Sequence, residues 1–292
     1  MAAYGVEQRL GLARHYLSIG NPKRALAELE QTGEALDAAE YWVIRAEALF
    51  ELGRWRDAAE AARRGLEVDA DHVTLLDVLA ISELRLGHEN EADQAILAAL
   101  AAAPDHPTLL AHRATMLAKW KRHDEADAAI AQAMRVDPQS PDVVMARSVV
   151  ARLRGDRRAA TQHADELLAL EPESELSHLA RGNAEISSAR FKHALRHFEE
   201  AARLNPGKPH VQDAVREARI GAHPLLAPVR PIWRLGRWRS VAIYFTLASL
   251  LAAARLQSLR LALMIFWVSA IALSWIAPPL LRRWYGRSRR GL

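Results

Sequence analysis

The histidines of this chain are the side chains whose spacing comes nearest to a metal site. The sequence holds 12 histidines and no cysteine, so thiolate metal sites, disulfides and cysteine nucleophiles are excluded. His193 and His197 are four residues apart, and Glu200 follows three residues later. On a helix, this spacing can place two or three metal ligands on one face.

Three observations weigh against a metal site or a catalytic centre. His193 and His197 lie to one side of Phe198, which we expect to point inward, so we interpret the pair as a solvated flank of its helix. Glu175 and His178 form a single E-x-x-H, which a di-iron bundle needs twice. Since the sequence also contains no Walker loop, G-x-S-x-G or H-E-x-x-H, we predict no catalytic residue, metal, cofactor or small-molecule substrate.

The segments that carry these residues recur with a fixed period. Small residues repeat every 34 positions in two series. The first series is Ala58, Ala92, Ala126, Ala160 and Ala194. The second lies twelve positions earlier, at Ala46, Ala80, Ala114, Ser148 and Gly182. Proline closes successive units at Pro104, Pro138, Pro172 and Pro206. Proline ends a helix, and two helices approach closely only where small residues face each other. The period therefore predicts antiparallel helix pairs that stack to share a continuous core.

This pattern resembles the tetratricopeptide repeat (TPR) family. The unit AEYWVIRAEALFELGRWRDAAEAARRGLEVDADH, at Ala39–His72, is a near-complete match, and the resemblance extends over about six units between Val6 and Lys208. It implies an all-α, TPR-like α-solenoid over residues 1–220, with a capping helix at Pro209–Ile220. The high alanine and arginine content is typical of a GC-rich bacterial genome, so we expect a bacterial type.

The resemblance also implies a protein-binding groove, lined by the first helices of the pairs and able to hold a peptide or a partner helix. The groove residues that we predict are Val43, Glu47, Phe50, Asp77, Ile81, Leu84, Met145, Val149, Asn183 and Ile186. Such a groove is apolar with an acidic N-terminal part, which would suit an amphipathic helix with basic flanks. The alternative for each residue is that it packs against a neighbouring repeat.

The last 75 residues differ in composition from the rest of the chain. Residues 218–292 hold twelve arginines, no lysine and no carboxylate, which gives them a charge of +12. The 27 basic and 35 acidic side chains of residues 1–217 give −8. Two uncharged apolar runs, at 240–254 and 261–281, predict a two-helix membrane hairpin over residues 240–281. The second run reaches about 30 Å at ~1.5 Å per residue, which is enough to cross a bilayer core.

Arginine counts orient this hairpin. Nine arginines flank its ends and only Arg255 and Arg260 occupy its turn, so we expect a multi-pass hairpin in the inner cell membrane with both chain ends cytoplasmic. The side chains expected to meet membrane lipids at the headgroup layer are Trp233, Arg234, Trp238, Arg239, Arg282, Arg283 and Trp284. Because these arginines adjoin apolar runs and tryptophans, we expect lipid phosphate and not nucleic acid as their counter-ion. The content of Pro, Arg and Trp in residues 221–239 predicts a stiff, extended connector. We expect residues 282–292 to form a basic cytoplasmic tail.

The sequence predicts a membrane-anchored, non-catalytic scaffold that recruits a protein partner at the cytoplasmic face. An integral regulatory subunit of a membrane enzyme or of a transport or envelope-assembly complex is the alternative. In that case the small residues Ala248, Ser249, Ala252 and Ala253 would let another helix approach closely. The tail itself has two other interpretations, a monotopic hairpin that stays in one leaflet and a buried helical pair of the soluble fold.

Overall fold

The computed structural model describes residues 2–32, 39–235 and 237–287. At positions 2–4, 231, 234, 235, 237, 238 and 285–287 the description covers the backbone alone. These residues form helices and turns, with no β-strand among them. The helices are α1 (Ala2–Ser18), α2 (Pro22–Glu30), α3 (Ala39–Glu51), α4 (Trp55–Val68), α5 (Val73–Leu86), α6 (Glu89–Ala102), α7 (Pro107–Lys119), α8 (His123–Val136), α9 (Pro141–Arg154), α10 (Arg157–Leu170), α11 (Glu175–Ser187), α12 (Phe191–Leu204), α13 (Pro209–Gly221), α14 (Arg230–Leu235), α15 (Arg237–Ala253) and α16 (Gln257–Arg287).

The helices α1 to α12 form six antiparallel pairs, each joined by a tight turn. The turns of four pairs contain Gly20, Gly53, Gly87 and Gly155 in the left-handed conformation, with φ between 71° and 88°. Glycine reaches this conformation without a steric cost. Lys121 and Ala189 take the equivalent place in the fourth and sixth pairs, with φ of 64° and 52°. The 34-residue period therefore imposes one turn geometry even where glycine is missing.

The small residues of the two series lie where the helices of each pair cross. The alanines at these positions are fully buried, namely Ala46, Ala58, Ala80, Ala92, Ala114, Ala126, Ala160 and Ala194. The Ser148 hydroxyl donates a hydrogen bond to the Ala160 carbonyl at 2.9 Å. At Gly182 a Cβ atom would lie 2.4 Å from Cε1 of Phe198, so only glycine leaves room for that ring. Close approach of the helices is thus the physical basis of the period.

The apolar core runs along the stack, from one pair to the next. Leu10 and Leu29 of the first pair pack in one cluster with Ile44 of the second pair. Val215 and Ala218 of α13 pack in the same way against Phe198 of the sixth pair. The helix α13 therefore packs against the last pair.

The C-terminal segments differ in detail from the sequence prediction. The turn between α15 and α16 lies at residues 254–256 and not at 255–260, and Arg260 belongs to the first turn of α16. The prediction of an extended connector is wrong, because a 3₁₀ turn at Pro224–Leu226 and the helix α14 lie within it. Pro224 and Pro231 are compatible with helix because they stand at the starts of these elements, where no N–H partner is needed, and Pro228 lies in the turn between them. The helix α16 also continues to Arg287, so the first part of the predicted tail is helical.

Candidate partner-binding groove and apolar helices

The predicted groove residues lie on α3, α5, α9 and α11, the first helices of their pairs. First helices of neighbouring pairs contact each other directly. The Asp77 carboxylate lies 2.8 Å from Nδ1 of His112, and the Thr108 hydroxyl donates to Asp142 at 2.7 Å. The predicted residues that keep part of their surface open to solvent are Glu47, Phe50, Asp77, Ile81, Met145, Val149, Asn183 and Ile186.

Two of the predicted groove residues are buried in the stack. Val43 is 5% exposed and packs in a cluster with Leu75 of the next repeat. Leu84 is 8% exposed and packs in a cluster with Leu109 of the next repeat. The prediction that they line the groove is wrong, because the first helix of the following pair covers both side chains. They stabilise the stack and offer a partner almost no surface.

Two carboxylates near the groove are paired with basic side chains of the protein. Arg14 donates to Glu40 at 3.0 Å, and Asp77 pairs with His112. Burial lowers the pKa of His112, but the hydrogen bond and charge of Asp77 outweigh it, so the pKa is raised above 6.5. Burial also raises the pKa of Glu47, which favours its neutral form. Two of these carboxylates are thus paired within the protein, which weakens the attraction that a basic flank on the partner would meet.

Sequence reasoning missed two buried glutamates that join neighbouring helices and turns. Glu83 is 1% exposed, accepts a hydrogen bond from Arg63, and lies 2.6 Å from Nδ1 of His88. Glu185 is equally buried and forms an ion pair with Arg190. The two glutamates occupy the same register three repeats apart, and so do His88 and Arg190. A glutamate followed five positions later by a basic residue, repeated in register, is the signal that could have found them.

The histidine pair of α12 is divided between solvent and the helix interface. His193 is exposed, as predicted, whereas His197 is half-buried with its Nδ1 3.3 Å from Nδ1 of His178. Nε2 of His178 donates to the Pro172 carbonyl at 3.1 Å, and the Nδ1 atoms of the two rings share a second hydrogen bond. Burial and the charge of Arg181 lower the pKa of His197. In the part of the chain that the structure describes, no three His, Asp or Glu side chains group as metal ligands.

One helix of the described residues, Gln257–Trp284, is long and apolar enough to cross a membrane. Only 11% of its most apolar window is buried in the fold, whereas a core helix of a soluble protein would be mostly buried. Arg239–Ala253 is a shorter apolar helix. The large apolar side chains exposed on these two helices include Phe245, Leu250, Ile265, Phe266, Val268, Trp275 and Ile276.

The C-terminal part of α16 is attached to the end of the solenoid. An apolar cluster joins Ile220 and Leu226 to Ala277 and Leu281. Beside it, the guanidinium of Arg282 donates two hydrogen bonds to the Glu217 carboxylate, at 3.0 and 2.8 Å. The last acidic residue of the chain thus meets the first arginine after the apolar run.

The side chains predicted to meet the headgroup layer have different surroundings. Arg239, Arg283 and Trp284 are exposed, and Arg282 is exposed but bonded to Glu217. Trp233 is half-buried, with its ring edge-on to Phe191 at a centroid distance of 5.5 Å. It therefore packs against the sixth repeat, in addition to any role at a membrane surface. The side chains of Arg234 and Trp238 lie outside the described residues.

Comparisons with known proteins identify the fold. Neither a family model nor a curated protein matches this chain. A thermophilic TPR protein from Thermus thermophilus is similar with a TM-score of 0.54 and 23% identity, over 63% of this chain and 100% of that one. PilW, a type IV pilus biogenesis factor, has a TM-score of 0.52 and 18% identity over 72% and 98%. A chain of the APC/C hetero-tetramer Cut9–Hcn1 has a TM-score of 0.54 and 14% identity over 73% of this chain and 42% of that one. These likenesses confirm the TPR α-solenoid.

Proposed function

We propose that this protein is a membrane-anchored, non-catalytic scaffold that holds a protein partner in the groove of its repeats at the cytoplasmic face of the inner membrane. The observation that carries the proposal is the attachment of α16, a long and largely exposed apolar helix, to the last helix of the solenoid. The neighbours support a role in assembly, since PilW is a pilus biogenesis factor and Cut9 forms a hetero-tetramer with Hcn1.

The open groove residues indicate the chemistry of the partner. The half-buried apolar side chains are Phe50, Ile81, Met145, Val149 and Ile186, and Asn183 adds an exposed amide. Since Glu40 is paired with Arg14 and Asp77 with His112, apolar contact is the main attraction that this surface offers. We propose that it binds a peptide or the apolar face of an amphipathic helix.

Charge substitutions in the groove test this proposal. We expect one protein to co-purify with the full chain from a gentle detergent, and Ile81→Glu and Val149→Glu to abolish its recovery. Leu97→Glu is the matched control, because Leu97 is an exposed apolar residue on a second helix, α6. Circular dichroism checks that all three variants are folded. If no protein accompanies the wild type, or if the groove variants retain it, the proposal fails.

We also propose that α15 and α16 cross the membrane as a hairpin with both chain ends in the cytoplasm. The excess of arginines at the ends of the hairpin supports this orientation. In this cysteine-free chain, Gln257→Cys should react with an impermeant thiol reagent in intact cells, and Ser18→Cys only after lysis. If the thiol at position 257 reacts only after lysis, the hairpin does not cross the membrane, and the monotopic interpretation is supported instead.

An integral regulatory subunit of a membrane enzyme or of a transport or envelope-assembly complex is the second candidate. The small residues Ser249, Ala252 and Ala253 are exposed on α15, where they would let a helix of another protein approach closely. Replacing α15 and α16 with an unrelated hairpin of the same topology separates the two functions. Retained co-purification of the partner supports the scaffold, and its loss supports the integral subunit.

A further inference from the structure

The two ends of the solenoid contact each other. Lys208, in the loop between α12 and α13, places its Nζ 2.8 Å from Oε2 of Glu51, at the end of α3. The same ammonium group lies 3.2 Å from Oε2 of Glu175, at the start of α11. Glu51 belongs to the second helix pair and Lys208 follows the sixth. The stack therefore curves until its last loop returns to its second repeat.

Further residues of the same loop face the first two repeats. A Cβ atom on Gly20 would lie 3.9 Å from Nδ2 of Asn205, so the turn of the first pair meets this loop as well. A cleft of about 460 Å³ separates the two ends. Its lining includes Lys23, Leu26, Leu52 and Arg54 on the side of the first repeats, and Gly207 and Pro209 on the side of the loop. The ends thus meet at a few points around an open cleft.

The contact is ionic and is not supported by an apolar interface. Among the described residues, no apolar cluster joins helices of the first two pairs to α12 or α13. The side chain of Lys208 is 19% exposed and that of Glu51 34%. Burial lowers the pKa of Lys208, but its pairs with Glu51 and Glu175 outweigh it and raise the pKa above 10.5. The ammonium group stays charged at neutral pH, so the attraction between the ends persists there.

The geometry also makes the contact reversible. Glu175 is 9% exposed and lies on the same end of the solenoid as Lys208. When the ends separate, Lys208 keeps Glu175 as its partner and Glu51 becomes solvated, so no buried charge is left without a counter-ion. Removing a buried charge from its last partner is the step that makes most buried ion pairs hard to break. Here that step does not occur.

We propose that the Lys208–Glu51 pair is a latch that closes the solenoid around its own groove, and that a partner helix enters when the latch opens. The inference rests on the groove function proposed above and adds a control of access to it. A helix with its side chains is about 10–12 Å across, so it enters a curled stack most easily from the side. Closure between the second repeat and the last loop blocks that side.

The distance between the ends tests the latch directly. Spin labels at Glu60→Cys and Asp213→Cys, both exposed positions on α4 and α13, report this distance in the full chain in detergent by pulsed electron resonance. We expect a narrow distribution for the closed form. Glu51→Lys, which repels Lys208, should lengthen and broaden it, and high salt should do the same because it screens the pair.

Two control variants keep the test specific. Glu175→Gln removes the other carboxylate from Lys208 without touching the contact between the ends, so the distance should stay short. Glu67→Lys reverses an exposed charge on α4, away from Lys208, and should also leave the distance unchanged. The latch is refuted if Glu51→Lys leaves the distance short, or if all three variants lengthen it equally.

Access to the groove provides a second readout. A thiol introduced by Ile81→Cys should react more slowly with a polymer-linked maleimide than with N-ethylmaleimide. Glu51→Lys should raise the rate of modification by the polymer-linked reagent several-fold. It should change the rate of modification by N-ethylmaleimide only slightly. Equal acceleration of both reagents, or of neither, would contradict a closed groove. Since both measurements are made without a partner, their failure would leave the scaffold proposal standing.

Discussion

Single side chains in this protein act mainly on the contacts between helices. Asp77 and His112 join the first helices of the third and fourth pairs, while Glu83 of α5 contacts Arg63 of α4 and His88 in the turn before α6. Most of these polar groups are half-buried or buried. Their loss should therefore change stability more than an exposed ion pair would.

The Asp77–His112 pair should make stability depend on pH. The pKa of His112 is raised in the folded protein above its ordinary value of 6.5, so its contribution is full below about pH 6.5 and is lost as pH rises through the folded-state pKa. We expect the difference in free energy of unfolding between wild type and His112→Gln to shrink by roughly 1 kcal/mol over that rise. Denaturant titrations at several pH values measure it, with His193→Gln as the exposed control. A difference that grows with pH would contradict the assignment.

The crossing at Gly182 should not tolerate a side chain. Gly182→Ala places a Cβ against the ring of Phe198 and should lower the free energy of unfolding by about 1–3 kcal/mol. Adding Phe198→Leu should recover part of this loss. Gly11→Ala is the matched control, because that helical glycine has nothing within 4 Å and should gain helix propensity. Thermal unfolding of the wild type and the three variants measures the effect, and equal destabilisation by both alanines would count against steric exclusion.

The geometry of the helices and turns is the same from repeat to repeat, even where the residue type at a given position changes. The turn residue of the fourth pair is Lys121, held at a φ of 64° by the same geometry that glycine adopts in four other pairs. A left-handed conformation costs a non-glycine residue roughly 1–2 kcal/mol. The turn therefore stores strain that the packing of the two helices supports.

Restoring glycine at this turn should stabilise the protein. We expect Lys121→Gly to raise the free energy of unfolding by up to about 1 kcal/mol, since relief of strain exceeds the added entropy of the unfolded chain. The reverse change, Gly155→Ala, should destabilise by a similar amount because its φ is 88°. Thermal melts of the two variants check the opposite signs. A loss of stability in Lys121→Gly would show that the lysine side chain contributes contacts that outweigh its backbone strain.

At the scale of the whole molecule, α16 connects the repeats to the surface that we propose is embedded in the membrane. Its 31 residues measure about 46 Å, which exceeds the ~30 Å core of a bilayer. One end can therefore remain with the solenoid while the other reaches into the bilayer. The contacts of Leu281 and Arg282 with the solenoid would hold the groove at a fixed angle to the membrane.

Loss of the buried leucine should detach α16 from the solenoid. Leu281 is 7% exposed, and Leu281→Ala should weaken the docking by about 2 kcal/mol, which is roughly a thirty-fold change in the undocked population. Tryptic cleavage of the connector in detergent should accelerate accordingly if it proceeds through the undocked state. Leu280→Ala is the control, since its neighbour Leu280 is 57% exposed. Equal cleavage rates in the two variants would argue against a docked helix.

The repeat itself was predictable from the sequence, because small residues in register every 34 positions mark helix crossings that depend on local packing alone. The six pairs, the capping helix and the apolar character of α16 follow from such patterns. Patterns of residue type do not reveal how far each repeat rotates relative to the last. That rotation accumulates along the stack, and only the tertiary structure shows that Lys208 reaches Glu51. The same packing buries Val43 and Leu84 and pairs Asp77 with His112, because these contacts depend on which helices become neighbours.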